Sequence, residues 1–325
     1  MTTVRGKGAG PLGIAVLGTG GIVRRSFVPA VRITLDARLV AVLSRDKQRA
    51  RAFADEFAIP EAYDDLGALL KNPDVHAVIV ATPDALHEPH VIAAAHAGVH
   101  VLCEKPMTTT PAGCARMADA VRRAGVTFAM GYSLRFLNHL RAVREIVRSG
   151  RLGRVRYARA LWTSKTLASQ ETWRIDPAQA RHWALGRVGT HLVDFYRWCF
   201  GEPVGVSGTI LRPRDGGPND ELSTVVLTFP QGLIAELTVS VLFPPGNSLE
   251  IHGEDGALLG SDVFGYARKR PPTTVNGEPL VYEPNDAFGE EVADFVRAIR
   301  TGTPPSAGLD DGMRNVAIME AAGIR

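Results

Sequence analysis

The chain has 325 residues, about twice the modal length of one domain, so two domains are expected, each large enough to bury a core. Hydrophobic residues at 45% and charged residues at 22% exclude a disordered chain, and a balance of 37 Lys and Arg against 34 Asp and Glu leaves only +3. The basic residues are scattered rather than clustered, which argues against a nucleic-acid partner.

Three cysteines, Cys103, Cys114 and Cys199, lack CxxC spacing, which fits a reducing compartment and a cytoplasmic location. Acids and histidines do not cluster at ligand spacing, so no metal is expected. No uncharged apolar run approaches the ~18 residues of a membrane span. The stretch Pro11 to Val23 follows Arg5 and Lys7 but carries four glycines and runs into Arg24, so it reads as structure rather than as a signal peptide. The Gly-rich polar segment before it, roughly the first 12 residues, is expected to lack order.

Along the chain, Gly13 to Leu17 reads as a strand and Ile22 to Val31 as a helix. Leu39 to Leu43 is a second strand, followed by a helix over Asp46 to Phe57 with Ala50, Phe53, Ala54 and Phe57 at helical spacing. Val75 to Ala81 is a β-branched run suited to a strand buried on both faces. Helix Pro89 to Ala97, strand Val99 to Cys103, helix Pro111 to Ala124 and strand Val126 to Met130 continue the alternation. That alternation predicts a doubly wound parallel sheet, so the fold class is α/β. After Gly131 the pattern changes. A helix from Asn138 to Ser149 precedes β-rich stretches at Val155 to Thr163, Val204 to Leu211, Leu222 to Phe229, Leu233 to Leu242 and Ser248 to His252, with one helix, His182 to Cys199, among them. These predict an α+β domain with a large, mostly antiparallel open sheet. Two terminal helices, Ala287 to Arg300 and Asp310 to Gly323, complete the chain. The expected domains are 1–131 for dinucleotide binding and 132–325 for substrate binding and oligomerisation, with a terminal helix able to pack back on the first.

Gly18-Thr-Gly20-Gly21-Ile22-Val23 follows the first strand and opens the first helix. This matches the first two positions of the dinucleotide fingerprint GxGxxG, with Val23 at the third. The first glycine makes the turn, the second admits a pyrophosphate, and the helix N-terminus offers amides to its charge. After the second strand, Ser44 stands where an acidic residue would select NAD, and Arg45 supplies a cation for a 2′-phosphate, so NADP(H) is expected over NAD(H). The competing reading makes Arg45 a solvated loop residue; Asp46 is expected to cap the next helix under either.

Val80-Ala-Thr82-Pro83-Asp-Ala-Leu-His87, Glu104-Lys105-Pro106, Gly131-Tyr-Ser-Leu-Arg135-Phe136, Trp173-Arg174-Ile-Asp176-Pro177 and Gly189-Thr-His191-Leu-Val-Asp194 occur in the order and spacing of the Gfo/Idh/MocA oxidoreductases, which the whole chain resembles. The resemblance implies a Rossmann domain followed by an α+β domain, and hydride transfer between NAD(P) and a sugar, polyol or related small hydroxy or keto compound. It implies Lys105 beside the nicotinamide and the reacting oxygen, held by Glu104, and His191 as general acid/base. The residue type suits that role, because imidazole both takes and returns a proton near neutrality. Thr82, Pro83, His87 and Glu104 join Gly18, Gly20, Gly21, Ile22, Ser44, Arg45 and Lys105 as expected cofactor contacts. Arg135, Trp173, Arg174 and Arg187 join Lys105 and His191 as expected substrate contacts, with Trp162 and Lys165 as secondary candidates. The open sheet implies a homodimer or homotetramer.

The sequence departs from the family at Arg187, where many relatives carry an aspartate one turn before the histidine, and in the bulky run Ala180-Arg181-His182-Trp183-Ala184. Two readings stay open: Arg187, with Arg181, grips an anionic group on the substrate, or Arg187 faces away and pairs with Asp194 or another acid. The same segment keeps open a catalytically degenerate NAD(P)-binding sensor, and a further reading is reduction of a non-sugar double bond or imine.

Overall fold

The computed structural model describes residues 4–6, 10–166, 173–212, 219–266 and 271–323. They fall into two compact units, Met1–Gly131 with Phe288–Met313, and Tyr132–Ala287 with Arg314–Arg325. No helix among the described residues is long and apolar enough to cross a membrane.

The first unit alternates strand and helix. β1 (Leu12–Leu17) leads into a π-helical turn (Val23–Phe27) and α1 (Val28–Ile33), where the sequence predicts one continuous α-helix. β2 (Ala37–Leu43), α2 (Lys47–Glu56), β3 (Glu61–Tyr63), α3 (Leu66–Lys71) and β4 (Ala77–Val80) follow. α4 runs Asp84–His96, five residues ahead of its expected start, with Pro89 inside it. Pro83 stands before its first turn, so His87 lies on the helix rather than in a loop. β5 (His100–Cys103), α5 (Pro111–Ala124) and β6 (Phe128–Met130) complete a parallel sheet of order β3-β2-β1-β4-β5-β6. β1 and β4 are fully buried, which is why they read as unbroken apolar runs. α8 (Ala287–Thr301) adds Phe288, Val292, Phe295 and Val296 to this core, with Phe288 edge-on to Phe27 at 5.5 Å. Near the N-terminus, Arg5 donates to the carbonyls of Leu70, Asn72 and Val75, so order extends to that residue against expectation. Residues 1–3 and 7–9 lie outside the described residues.

The second unit holds a 3-10 turn (Ser133–Phe136), α6 (Asn138–Arg148) and an eight-stranded sheet of order β14-β13-β12-β11-β7-β10-β9-β8. Its strands are β7 (Val155–Thr163), β8 (Gly205–Leu211), β9 (Leu222–Thr228), β10 (Ile234–Ser240), β11 (Gly246–Gly253), β12 (Ala257–Ser261), β13 (Thr274–Val275) and β14 (Glu278–Pro279). Only β7 and β10 pair in parallel. Alternation along β9 and β10 buries Val225, Leu227, Ala235, Leu237 and Val239, leaving Val226, Glu236 and Thr238 on the other face. The helix expected over His182 to Cys199 begins instead as a π-helical turn (Leu185–Gly189) that becomes α7 (Thr190–Phe200). A distant acid starts it: Asp220 accepts the amides of Trp183 and Leu185 at 2.7 and 2.8 Å. α9 spans Leu309–Gly323.

Candidate active site

In the first unit the candidate residues gather at the C-terminal ends of the parallel strands, the edge where such sheets bind ligands. Gly18 has φ +112°, and a Cβ there would lie 2.7 Å from the Ala81 carbonyl oxygen, so glycine is required by strain and by the approach of β4. Gly20 differs: a Cβ there meets nothing within 4 Å. Nothing inside the protein demands that glycine, and the open space beside its backbone suits a pyrophosphate. Val23, at the third fingerprint position, is buried in the core. Ile22 and Gly21 are partly exposed, and a Cβ on Gly21 would strike the Arg25 guanidinium.

Ser44 is buried at the end of β2 and Arg45 is exposed, with no ion pair to it among the described residues. Asp46 caps α2 by accepting the Arg49 amide at 2.7 Å. Beyond β5, the Glu104 carboxylate accepts the backbone amide of Lys105 at 3.1 Å, so the acid holds the lysine through its main chain. Gly131 packs against this turn, where a Cβ would come within 3.2 Å of Glu104 Cα. Glu291 of α8 is buried nearby; burial first, then the charges of Glu104 and Asp294, push its carboxyl well above the ordinary range. Thr82 accepts or donates to His90 at 3.2 Å, and the ring nitrogens of His87 meet the carbonyls of Thr82 and Pro106. His87, 1% exposed, therefore offers its polar atoms to backbone rather than to a cofactor.

In the second unit His191 sits in the first turn of α7 between two aromatic rings. Trp162 lies nearly parallel to it at 6.0 Å and 27°, and Tyr132 edge-on at 6.3 Å. Trp162 stacks in turn on Phe264 at 5.7 Å, and the Tyr132 hydroxyl meets Thr190 at 3.2 Å. Burial pushes the Tyr132 phenol up, which keeps it protonated. One turn beyond His191, Asp194 receives Arg135 Nε at 2.8 Å and Nη2 at 2.6 Å, together with the Asn315 amide at 3.2 Å. The guanidinium of Arg135 thus pins the helix bearing His191 through Nε and Nη2. Arg187 donates to Thr166 at 2.6 Å, while Arg181 forks onto Glu320 at 3.0 and 3.2 Å. Arg174 lies over the Trp173 ring at 4.1 Å, and Lys165 is exposed.

Tyr132, Asp220, Glu291 and Asn315 are not among the residues to which the sequence points. Tyr132 lies within Gly131-Tyr-Ser-Leu-Arg135-Phe136 and is legible there; the other three act across long separations and carry no local signal. Among the described residues no three His, Cys, Asp or Glu side chains gather as a metal cage.

Two family models cover most of the chain. The model of the oxidoreductase family with an NAD-binding Rossmann fold matches residues 12–132, and that of the GFO/IDH/MocA C-terminal domain matches residues 140–259. The chain belongs to the Gfo/Idh/MocA oxidoreductases. A D-xylose 1-dehydrogenase (NADP(+)) of Haloferax volcanii is 33% identical over 316 residues, covering 94% of this chain and 96% of that protein. The aldose-aldose oxidoreductase from Caulobacter crescentus, solved with glycerol, superposes with a TM-score of 0.88 at 29% identity, over 96% of this chain and 98% of that one. A 3-ketoreductase from Actinomadura kijaniata, solved with NADP and TDP-benzene, gives 0.87 at 26% identity, over 96% and 97%. As a Gfo/Idh/MocA member the protein is an oxidoreductase that binds NAD(P) through its parallel-sheet unit.

Proposed function

We propose that this Gfo/Idh/MocA oxidoreductase prefers NADP(H) and moves a hydride between it and a sugar, polyol or related small hydroxy or keto compound, with Lys105 and His191 acting on the reacting oxygen. The setting of His191 carries the reading: a titratable ring, walled by Trp162 and Tyr132, on a helix pinned by the Arg135–Asp194 pair. The names of the xylose dehydrogenase and the aldose oxidoreductase support the substrate class.

When bound, the nicotinamide supplies or accepts the hydride. Lys105, on the turn after β5, stabilises negative charge as it develops on the reacting oxygen. His191 takes the hydroxyl proton in oxidation and returns it in reduction. Ser44 leaves room for a 2′-phosphate that an acid there would repel, and Arg45 forks onto it. Gly18, Gly20, Gly21 and Ile22 would hold the pyrophosphate, with Thr82 and Pro83 as further contacts to the dinucleotide. Trp173, Arg174 and Arg187 complete the proposed substrate contacts. Three buried thiols suit a cytoplasmic setting.

We also infer a homodimer or homotetramer through the open face of the eight-stranded sheet, where Tyr157, Leu161, Val226 and Leu259 are partly or fully exposed around Arg159, Glu236 and Glu250. Sedimentation as a monomer at micromolar concentration would overturn it. For the cofactor and the chemistry, the purified protein is titrated with NADPH and NADH by nicotinamide fluorescence, then assayed on an aldose and polyol panel. Tighter NADPH binding, weakened about tenfold by Arg45→Ala, and turnover lost in Lys105→Ala are expected. A preference for NADH sinks the cofactor reading, and turnover indifferent to Lys105 and His191 sinks the mechanism.

A further inference from the structure

His87 spans two loops. Its Nδ1 lies 2.9 Å from the Pro106 carbonyl oxygen and its Nε2 lies 2.9 Å from the Thr82 carbonyl oxygen. Thr82 follows β4, and Pro106 directly follows Lys105. The ring is 1% exposed and stands in the first turn of α4, an element fixed by its own helix bonds. On the other side of the lysine, Glu104 accepts the Lys105 amide at 3.1 Å. The main chain is therefore tied both at Lys105 and immediately after it.

We propose that His87 is a positioning residue: a strut between the ends of β4 and β5 that fixes Lys105 through the Pro106 carbonyl. The proposal rests on the role given to Lys105 above and takes His87 away from direct contact with cofactor, because a ring whose two nitrogens both meet backbone has no polar atom left for a ligand. Two carbonyl partners suit an imidazolium, which donates from both nitrogens, whereas a neutral ring donates from one only. Burial lowers the pKa of His87; the carbonyls of Pro106, Thr82 and Met107 oppose that, and the Lys105 charge adds to it. His90, on which His87 acts, is itself lowered to about 4, chiefly by burial, and is neutral near pH 7. The neutral Nδ1–H tautomer keeps the bond to the Pro106 carbonyl that the strut needs, and the imidazolium keeps both bonds.

The test uses cofactor-free protein with its lysines converted to ¹³C-dimethylamines, the Lys105 resonance being identified by its loss in Lys105→Arg. His87→Phe keeps the ring volume without polar atoms, and His87→Gln keeps a donor. We expect His87→Phe to move the Lys105 titration by about half a pH unit or more while the exposed Lys47 stays in place, with His87→Gln between wild type and Phe. NADPH affinity should fall about tenfold in His87→Phe. An unmoved Lys105 titration in folded His87→Phe overturns the strut. If that variant does not fold, His87→Leu, which also lacks a donor, takes its place, and an unmoved titration in it overturns the strut equally. Failure of the wild-type protein to bind either dinucleotide would instead overturn the proposed function, and the lysine titration would still judge the strut.

Discussion

Arg135 holds Asp194 through two nearly parallel hydrogen bonds, 2.8 and 2.6 Å long, and the two side chains are 7% and 1% exposed. Removing one member of a buried pair leaves the other as a naked charge, a larger loss than the pair's net worth. Arg135→Ala should therefore cost about 3 to 5 kcal/mol, read by denaturant unfolding. The double variant Arg135→Ala with Asp194→Ala should cost less than the sum of the two single losses, and strict additivity would show that the pair is not coupled.

Gly18 and Gly20 should separate fold from ligand. Gly18→Ala puts a side chain at φ +112° against the Ala81 carbonyl, and about 1 to 3 kcal/mol should be lost. Gly20→Ala has room within the protein, so its melting should stay within about 0.5 kcal/mol of wild type. Its dinucleotide affinity should nevertheless fall tenfold or more, about 1.4 kcal/mol. Thermal melts and fluorescence titration of both variants decide the matter.

Asp220 gives the protein an acid limb. Burial alone would raise its pKa, but His182, the Leu185 amide and the Ser223 hydroxyl outweigh burial and hold it below 3.8. A depressed native pKa means stability that is fully present above the unfolded value and lost as pH falls through the native one. The Asp220 contribution should thus be intact at pH 5 to 7 and fade below about pH 4. Asp220→Asn should lose about 2 kcal/mol at pH 7 and show a shallower decline on acidification, which urea unfolding between pH 3 and 7 would reveal.

Ser44→Asp places a carboxylate where NAD-selective sheets carry one. NADPH should bind about tenfold more weakly and NADH more tightly. Parallel titrations check this, and an unchanged ratio would remove Ser44 from the cofactor site.

Strands buried on both faces announce themselves by composition, so Val75 to Ala81 and the glycine loop after Leu17 were readable from one sequence. The motif histidine was too, because Gly189, His191 and Asp194 lie within a single turn and a half. What the sequence hid depends on residues far apart: Asp220 starting the turn at Leu185, or Arg135 reaching Asp194 across 59 positions. Neither acid nor base differs in type from a surface residue, and only burial makes their pairing matter. Pro89 misled in the opposite way. A proline suits a helix start, but α4 had begun already at Asp84, and that shift is what put His87 beneath two loops.

Phe288, Val292, Phe295 and Val296 wall the core of the first unit although more than 150 residues separate them from Gly131. A ribosome finishing β6 has therefore released a half-built hydrophobic surface that stays wet until Tyr132 to Ala287 have been translated and α8 follows. The nascent chain needs shelter over that interval, and a fragment ending at Gly131 should be sticky rather than merely unstable.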